Sequence, residues 1–327
     1  MDSGLRRKDG GGAVSWRMIK RLLILILLLQ AVAVAALAFG LHQVWRPGWQ
    51  AALGAPAVAA IDLLLGLSTV LALRALISAN NFFMSWRAGS VTPPGHALNP
   101  ARAARLFLHE FCSSLLASSW YMLRPIGLRL VPGARGLPVL LIHGYACNSG
   151  YWLPMSKLLK QARISHYGID LEPPGAAIDD FVPQVAAAVE RLRRETGSAQ
   201  VIILGHSMGG LVARAYLRQH GARQVARVIT LGTPHHGTAL AQLGPGSNAA
   251  QMRRDSAWLD ALAASEANTQ RALFSSIYSV HDNIIAPQDS SDLPGARNLV
   301  FSAIGHVALG RHPEIMQCAL REIQALT

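Results

Sequence analysis

The sequence predicts an α/β fold in which a mostly parallel sheet is flanked by helices and preceded by an N-terminal transmembrane helical hairpin. From Leu137 onwards, short apolar runs alternate with helical patterns, which is typical of βαβ units that build one sheet. Before that point lie two long apolar stretches, at residues 22–39 and 51–73. The 327 residues are 51% hydrophobic, so the chain can bury an enzyme-sized core and still supply apolar segments to a membrane.

Residues 1–21 form a basic segment, and the apolar stretch that follows it is the first predicted span. Residues 22–39 carry no charge and approach the roughly 20 residues that cross the bilayer hydrocarbon. A cleaved signal peptide is the alternative, because Ala36-Leu37-Ala38 resembles a cleavage site. The stretch is longer than the roughly 7 to 15 apolar residues of a signal peptide, which favours an uncleaved span.

Residues 51–73 form the second predicted span, so that two transmembrane helices occupy residues 22–79. Asp62 is its only charge and costs about 2.5 to 3.5 kcal/mol at the centre of the bilayer, which the surrounding apolar residues offset. Residues 42–49 are expected to form the turn of the hairpin, with Trp45 and Trp49 at the level of the headgroups.

The charges beside the spans predict their orientation. Basic residues crowd before the first span, and Arg74 and Arg87 follow the second, so the positive-inside rule places both flanks in the cytoplasm. We therefore expect a multi-pass protein of the bacterial inner (cytoplasmic) membrane with a cytoplasmic C-terminal domain. If residues 51–73 lay along the interface instead, that domain would be exported to the periplasm.

Residues 80–136 are interpreted as a linker that contains an amphipathic helix. The segment from Ala101 to Leu123 has a broad apolar face, which predicts a helix lying on the membrane or against the next domain. Pro93-Pro94-Gly95 and Pro132-Gly133 interrupt the segment on either side of this helix.

The net charge of +12 fits either a nucleic acid or anionic lipid headgroups as a partner. No block of interleaved arginine and aromatic residues supports a nucleic acid, so the lipid bilayer is the expected partner. The three cysteines, Cys112, Cys147 and Cys318, are too scattered for a disulfide framework or a metal site, and we expect neither a metal nor a cofactor. Cys147 is expected to serve in packing, with a reactive thiol as the alternative.

Residues 137–327 form the predicted α/β domain. The predicted strands are PVLLIHG, ISHYGIDL, VIILG, VARVITLG, SSIYSV and NLVFSAIG, and the main helices cover residues 152–162, 178–196, 211–220 and 313–326. In sheets of this kind, active sites lie at the carboxyl ends of the strands.

GHSMGG, residues 205–210, stands where one of these strands ends and a helix begins. The spacing G-x-S-x-G places Ser207 on a sharp turn, with Gly205 and Gly209 giving steric room, so that its hydroxyl stands at the helix N-terminus. This pattern predicts a nucleophile elbow.

From about residue 137 the chain resembles the α/β-hydrolase superfamily, and within it the bacterial lipases and esterases. The resemblance rests on HGY (143–145), GHSMGG (205–210), LGTPHHGT (231–238), HDNIIAP (281–287) and GH (305–306), which occur in the order of that family. It implies an α/β-hydrolase fold and a serine hydrolase that acts on apolar carboxylic esters or lipids.

A serine hydroxyl needs a base to remove its proton and a carboxylate to orient that base. The chain order of the fold is serine, acid, histidine. His306 is the expected base, since its loop directly follows the last predicted strand, and Asp282 is the expected acid, since it follows SSIYSV. Asp289 and Asp292 are the alternatives, which we interpret as solvated loop charges.

The resemblance also implies an oxyanion hole formed by the backbone N–H groups of Tyr145 and Met208. Many secreted bacterial lipases have a calcium-binding aspartate two residues after the catalytic histidine. Here that position is Ala308, so the resemblance does not extend to a calcium site.

More than 40 residues separate Gly232 from Ser275, where a βα connection typically takes about 2 to 6. Within this stretch, residues 243–246 resemble a hinge and residues 256–262 an amphipathic helix, which suggests either a lid over an acyl pocket or an ordinary insertion.

The leading hypothesis is a membrane-anchored serine hydrolase, a lipase or esterase that forms an acyl-enzyme. An acyltransferase with the same three residues, and a membrane scaffold without catalysis, are the alternatives. The sequence indicates neither the acyl chain nor the oligomeric state.

Overall fold

The structure is a computed structural model and describes residues 17–326, so most of the predicted basic segment lies outside it. Two antiparallel helices open the described chain, α1 (Arg17–Leu53) and α2 (Ala55–Ala88). The turn predicted at residues 42–49 is wrong: α1 continues through this stretch and the chain reverses at Gly54. This residue has a φ of 80°, which glycine adopts without steric penalty.

Both helices are long and apolar enough to cross a membrane, by length and composition. Leu28, Val32, Phe39 and Leu64 belong to the apolar surface that they leave exposed. Such a surface is typical of a contact with a membrane or with another protein.

Polar side chains inside the hairpin pair with one another. Asp62 Oδ2 lies 3.0 Å from His42 Nδ1, so the carboxylate that interrupts the second apolar stretch has a partner. Arg74, which we expected after the second span, lies within α2 and donates to Gln30 Oε1 at 3.2 Å. It also binds Ser118 and Ser119, which follow the next helix. Paired in this way, polar groups are tolerated in membrane helices.

Helix α3 (Pro100–Leu116) lies in the segment predicted to contain an amphipathic helix. Asn99 begins it, because its Oδ1 accepts a hydrogen bond from Arg102 N at 2.9 Å, and Pro100 occupies the first position. A short π-helical turn, Ala117–Tyr121, continues it.

A seven-stranded sheet forms the centre of the C-terminal domain. Its strands are β1 (Gly127–Arg129), β2 (Val139–Ile142), β3 (His166–Ile169), β4 (Val201–His206), β5 (Val225–Leu231), β6 (Phe274–Ser279) and β7 (Arg297–Phe301). They lie in the order β1-β3-β2-β4-β5-β6-β7, and all pairs are parallel except β1 with β3. The sequence did not predict β1, which is only three residues long and lies before residue 137.

Helices cover both faces of the sheet. They are α4 (Leu153–Gln161), α5 (Val182–Thr196), α6 (Met208–His220), α7 (Ser247–Gln251), α8 (Ala257–Ala264), α9 (Asn268–Arg271) and α10 (Pro313–Gln324). Alternate residues of β2 belong to different cores: Leu140 and Ile142 pack with α5 and α6, whereas Val139 and Leu141 pack with α4 and α10. The near-continuous apolar strands therefore follow from burial on both faces.

The stretch between β5 and β6 contains α7, α8 and α9. Leu259 and Leu262 of α8 are buried in the core, so these two residues are not available to cover an acyl pocket. Trp258 Nε1 donates to Asp179 Oδ2 at 2.6 Å, which further fixes the helix. This packing favours an ordinary insertion for α8.

Candidate active site

Ser207 occupies the sharp turn between β4 and α6. Its φ of 54° and ψ of −123° are a strained conformation for a residue with a side chain. The turn is held by hydrogen bonds from Ser207 N to Leu231 O and from Thr233 Oγ1 to Ser207 O, both 2.9 Å long. Strain of this kind persists only where the surrounding structure enforces it, and it is common at active sites.

The two glycines of the G-x-S-x-G pattern are required because their neighbours leave no room for a side chain. A Cβ on Gly205 would lie 2.7 Å from the backbone N of Gly210, and one on Gly209 would lie 2.3 Å from the carbonyl oxygen of Ile142. Any side chain at either position would push the helix away from the sheet, and the turn that carries Ser207 would open.

Asp282 and His306 form a buried hydrogen-bonded pair. Asp282 Oδ2 lies 2.7 Å from His306 Nδ1, while its Oδ1 accepts two backbone hydrogen bonds, from Ile284 and Ile285, at 2.8 Å each. Asn283 Oδ1 accepts the His306 N–H at 2.9 Å. Because Nδ1 donates to the carboxylate, Nε2 is the ring nitrogen left to accept a proton.

The environment of His306 favours its charged form. Burial alone lowers the pKa of the imidazole, but the charge and hydrogen bond of Asp282, together with the charge of Glu110, outweigh burial and raise the pKa above its ordinary value. The His306 imidazole is therefore suited to accept a proton and to remain charged afterwards.

The topology brings the three predicted residues to one edge of the sheet. Ser207 follows β4, Asp282 follows β6 and His306 follows β7, in the array β4-β5-β6-β7. Within the described residues, no hydrogen bond joins Ser207 Oγ to His306. Such a contact often shortens only when a substrate binds. Asp292, one of the alternative acids, accepts hydrogen bonds from Tyr278 and Asn298, and in the described residues neither Asp292 nor Asp289 is bonded to His306.

The HGY loop lies directly against the elbow. A Cβ on Gly144 would be 3.0 Å from Ser207 Cβ. His143 secures this loop, because its Nδ1 donates to Gly144 O at 2.8 Å and its Nε2 accepts from Leu171 N at 3.0 Å. In the described part of the chain, the backbone N–H groups of Tyr145 and Met208 donate to no other residue.

A cavity of about 290 Å³ opens at Ser207. Leu243, Ile285 and other apolar side chains make up most of its lining, Tyr145 lies on one side and Asn81 of α2 on another. The Tyr145 hydroxyl donates to Pro245 O at 2.7 Å, which ties the segment after β5 to the HGY loop. An apolar chain therefore fits against the serine.

Cys147 is held as a packing residue. Burial raises the pKa of its thiol to about 12, so little thiolate forms near neutral pH. This is the role that we expected for Cys147, and the reactive-thiol alternative loses support.

Several residues around the pair were missed from the sequence. Ser85 Oγ, in α2, donates to Asp282 O at 2.7 Å, and Gln288 Nε2 donates to the same oxygen at 3.0 Å. Glu110, in α3, binds the loop after His306. No sequence signal marks Ser85 or Glu110, since each contacts a residue nearly 200 positions away.

Comparisons with known proteins agree with this architecture. Residues 138–281 match the family described as the alpha/beta hydrolase fold. Triacylglycerol lipases from Pseudarthrobacter phenanthrenivorans and Burkholderia plantarii are each 32% identical over 117 residues, which is 32% of this chain and 35% and 31% of the relatives. The aligned part of the chain thus spans about a third of the length of these relatives.

A crystal structure of the mature form of a Bacillus licheniformis lipase has the same fold. It covers 59% of this chain and 95% of its own, with a TM-score of 0.53 and 19% sequence identity.

Proposed function

The C-terminal part of the chain has the α/β-hydrolase fold and is similar to lipases and esterases, and from this premise we propose that the protein is a membrane-anchored serine hydrolase of carboxylic esters. The observation that carries the proposal is the position of Ser207, on a strained turn at the base of an apolar cavity. The buried pair of Asp282 and His306 follows two strands of the same sheet edge.

The proposed reaction begins with His306. Its Nε2 takes the proton of the Ser207 hydroxyl while Oγ attacks the ester carbonyl, and the carbonyl electron pair moves onto the oxygen. The N–H groups of Tyr145 and Met208 donate to this oxyanion. The bond to the alcohol breaks as His306 returns the proton to the leaving oxygen, and the acyl group remains on Ser207. Water then attacks the acyl carbon as His306 takes its proton, and the bond to Ser207 breaks as His306 returns that proton to Oγ, which releases the carboxylic acid.

An apolar, lipid-derived ester is the proposed substrate class. The cavity is lined mainly by apolar side chains, and the two relatives named above are triacylglycerol lipases. Asn81 of α2 lines the same cavity, so a helix of the hairpin contributes to the site directly. An enzyme held at a bilayer in this way meets amphiphiles far more often than dilute solutes.

Both spans of the hairpin are proposed to cross the bilayer, with the hydrolase domain in the cytoplasm. The pairing of His42 with Asp62 supports this for the second span, since the carboxylate is not left alone in lipid. The start of α1 and the end of α2 both lie near the hydrolase domain, because Ile19 interacts with Glu172 and Ser85 with Asp282. A hairpin that returns to its own side agrees with this topology.

Three substitutions test the chemistry in the full-length protein in detergent or nanodiscs. Ser207→Ala and His306→Ala should each lower kcat by roughly three or more orders of magnitude, with Asp282→Asn severe as well, because the nucleophile, the base and the orienting acid act as a unit. Rates are measured on p-nitrophenyl esters of increasing chain length, beside labelling with a fluorophosphonate probe. His220→Ala, an exposed histidine at the end of α6, is the control.

Wild-type turnover by Ser207→Ala, or fluorophosphonate labelling of that variant, would contradict the proposal. Full activity on acetate esters with none on longer chains would contradict the substrate class. Product analysis with an added alcohol separates hydrolysis from acyl transfer.

A further inference from the structure

Glu110 is a carboxylate from outside the sheet that reaches the loop of His306. It lies in the middle of α3, is only 2% exposed, and has no counterpart among the motifs of the hydrolase domain. Its Oε1 accepts the backbone N–H of Val307 and its Oε2 that of Ala308, both at 2.9 Å. These are the first two residues after His306.

The loop is shaped to receive this side chain. A Cβ on Gly305 would lie 2.5 Å from Glu110 Oε2, so the carboxylate occupies the space that any other residue would fill. Elsewhere the backbone of His306 is fixed by the hydrolase domain itself, through Asn283 and through His206 Nε2, which lies 3.1 Å from His306 O. Glu110 therefore supplies the support on the C-terminal side of the histidine.

Glu110 also contributes a charge next to the imidazole. Burial raises the pKa of its carboxyl, and the two N–H groups and His306 offset this only in part. The ionisable groups around His306 are Asp282, Glu110 and His206, and burial lowers the pKa of His206 well below its ordinary value. Around Glu110 they are His306, Asp282 and Tyr151.

We propose that Glu110 is a positioning residue of the hydrolase, which holds residues 305–308 so that His306 faces Ser207 and which stabilises the imidazolium formed during attack. The inference rests on the proposed function, because it takes His306 as the base. It assigns to α3, a helix outside the sheet, a part in the reaction.

Two variants separate the position of the carboxylate from its charge. Glu110→Gln keeps the side-chain length but removes the charge and one of the two acceptors, because its amide nitrogen cannot accept a backbone N–H. We therefore expect kcat to fall roughly 10- to 100-fold with KM little changed, since a small displacement of a catalytic group costs about this much. The acid limb of kcat/KM against pH should also move to lower pH, because His306 loses a nearby negative charge. Glu110→Asp keeps the negative charge but shortens the side chain by one methylene. We therefore expect kcat to fall while the acid limb of kcat/KM stays at the pH of the wild type.

Glu314→Gln is the matched control, since it removes an exposed carboxylate from the first turn of α10, close to the same loop in sequence. We expect its kcat and pH limb to equal those of the wild type. The rate of fluorophosphonate labelling, which reports activation of Ser207 without an ester substrate, should follow kcat in all three variants.

The inference is overturned if Glu110→Gln keeps wild-type kcat, or if its kcat falls while the acid limb stays in place. Should Glu110→Gln fail to fold in a thermal unfolding assay, Glu110→Asp decides the positional part, and wild-type kcat in that variant overturns it. A wild-type protein that neither cleaves esters nor accepts the probe contradicts the proposed function itself, which is a different result.

Discussion

The pair of Asp282 and His306 sets the pH range in which the proposed enzyme works. The base must be neutral to accept the Ser207 proton, and the neighbouring carboxylates raise the pKa of His306 above the ordinary value of 6.5. We therefore expect kcat/KM to rise with pH through a midpoint above 6.5, measured on a soluble p-nitrophenyl ester. Asp282→Asn should move the residual limb to lower pH; a wild-type midpoint below 6.5 would contradict this assignment of the base.

Single functional residues can be predicted from the sequence where a local motif or the end of an apolar strand marks them. Ser207 is marked by two glycines at which a Cβ would lie 2.3 to 2.7 Å from backbone atoms. Asp282 and His306 are marked by their places after apolar strands. Glu110 lacks any such mark, because its partners Val307 and Ala308 are 197 and 198 positions away and contribute only backbone N–H groups. A backbone N–H is present in every residue except proline, so the residue types at 307 and 308 do not indicate that Glu110 binds there.

Helix α2 is predicted to act as one wall of the acyl pocket. Asn81 lines the cavity while the neighbouring Asn80 is exposed, which gives a matched pair on one helix. Asn81→Trp should lower kcat/KM for longer acyl esters by about fourfold for each methylene that no longer fits, since a buried methylene contributes about 0.8 kcal/mol. Activity on acetate esters should change little. If Asn80→Trp and Asn81→Trp gave the same chain-length profile across the ester panel, α2 would not border the acyl site.

The helices and central strands follow from periodicity, but their ends and connections do not. Gly54, not the Trp45 to Trp49 segment, reverses the hairpin, because α1 continues through Pro47 and Gly48 and the positive φ is found at Gly54. Strand β1 escaped prediction because three residues at a sheet edge carry no repeating pattern. Leu259 and Leu262 look alike on a lid and in a core, and only the tertiary contacts of α8 distinguish the two.

At the scale of the whole molecule, the proposed topology predicts on which side of the membrane the hydrolase domain lies. The hairpin returns the chain to the side from which it started, so we expect residue 327 and the N-terminus to share the cytoplasmic side. Fusion of alkaline phosphatase after Thr327 should then give little reporter activity, and a cytoplasmic reporter at the same site should be active. Strong alkaline phosphatase activity would reverse the orientation without touching the argument for Ser207.

The hydrogen bond from Ser85 to the carbonyl of Asp282 determines what happens to the active site when the helix pair is separated from the hydrolase domain. In this chain, a cut in the exposed segment between α2 and α3 would detach Ser85 from the acid loop and Asn81 from the cavity wall. In the proposed enzyme the helix pair is therefore part of the active site, and its removal would lower activity as well as release the domain.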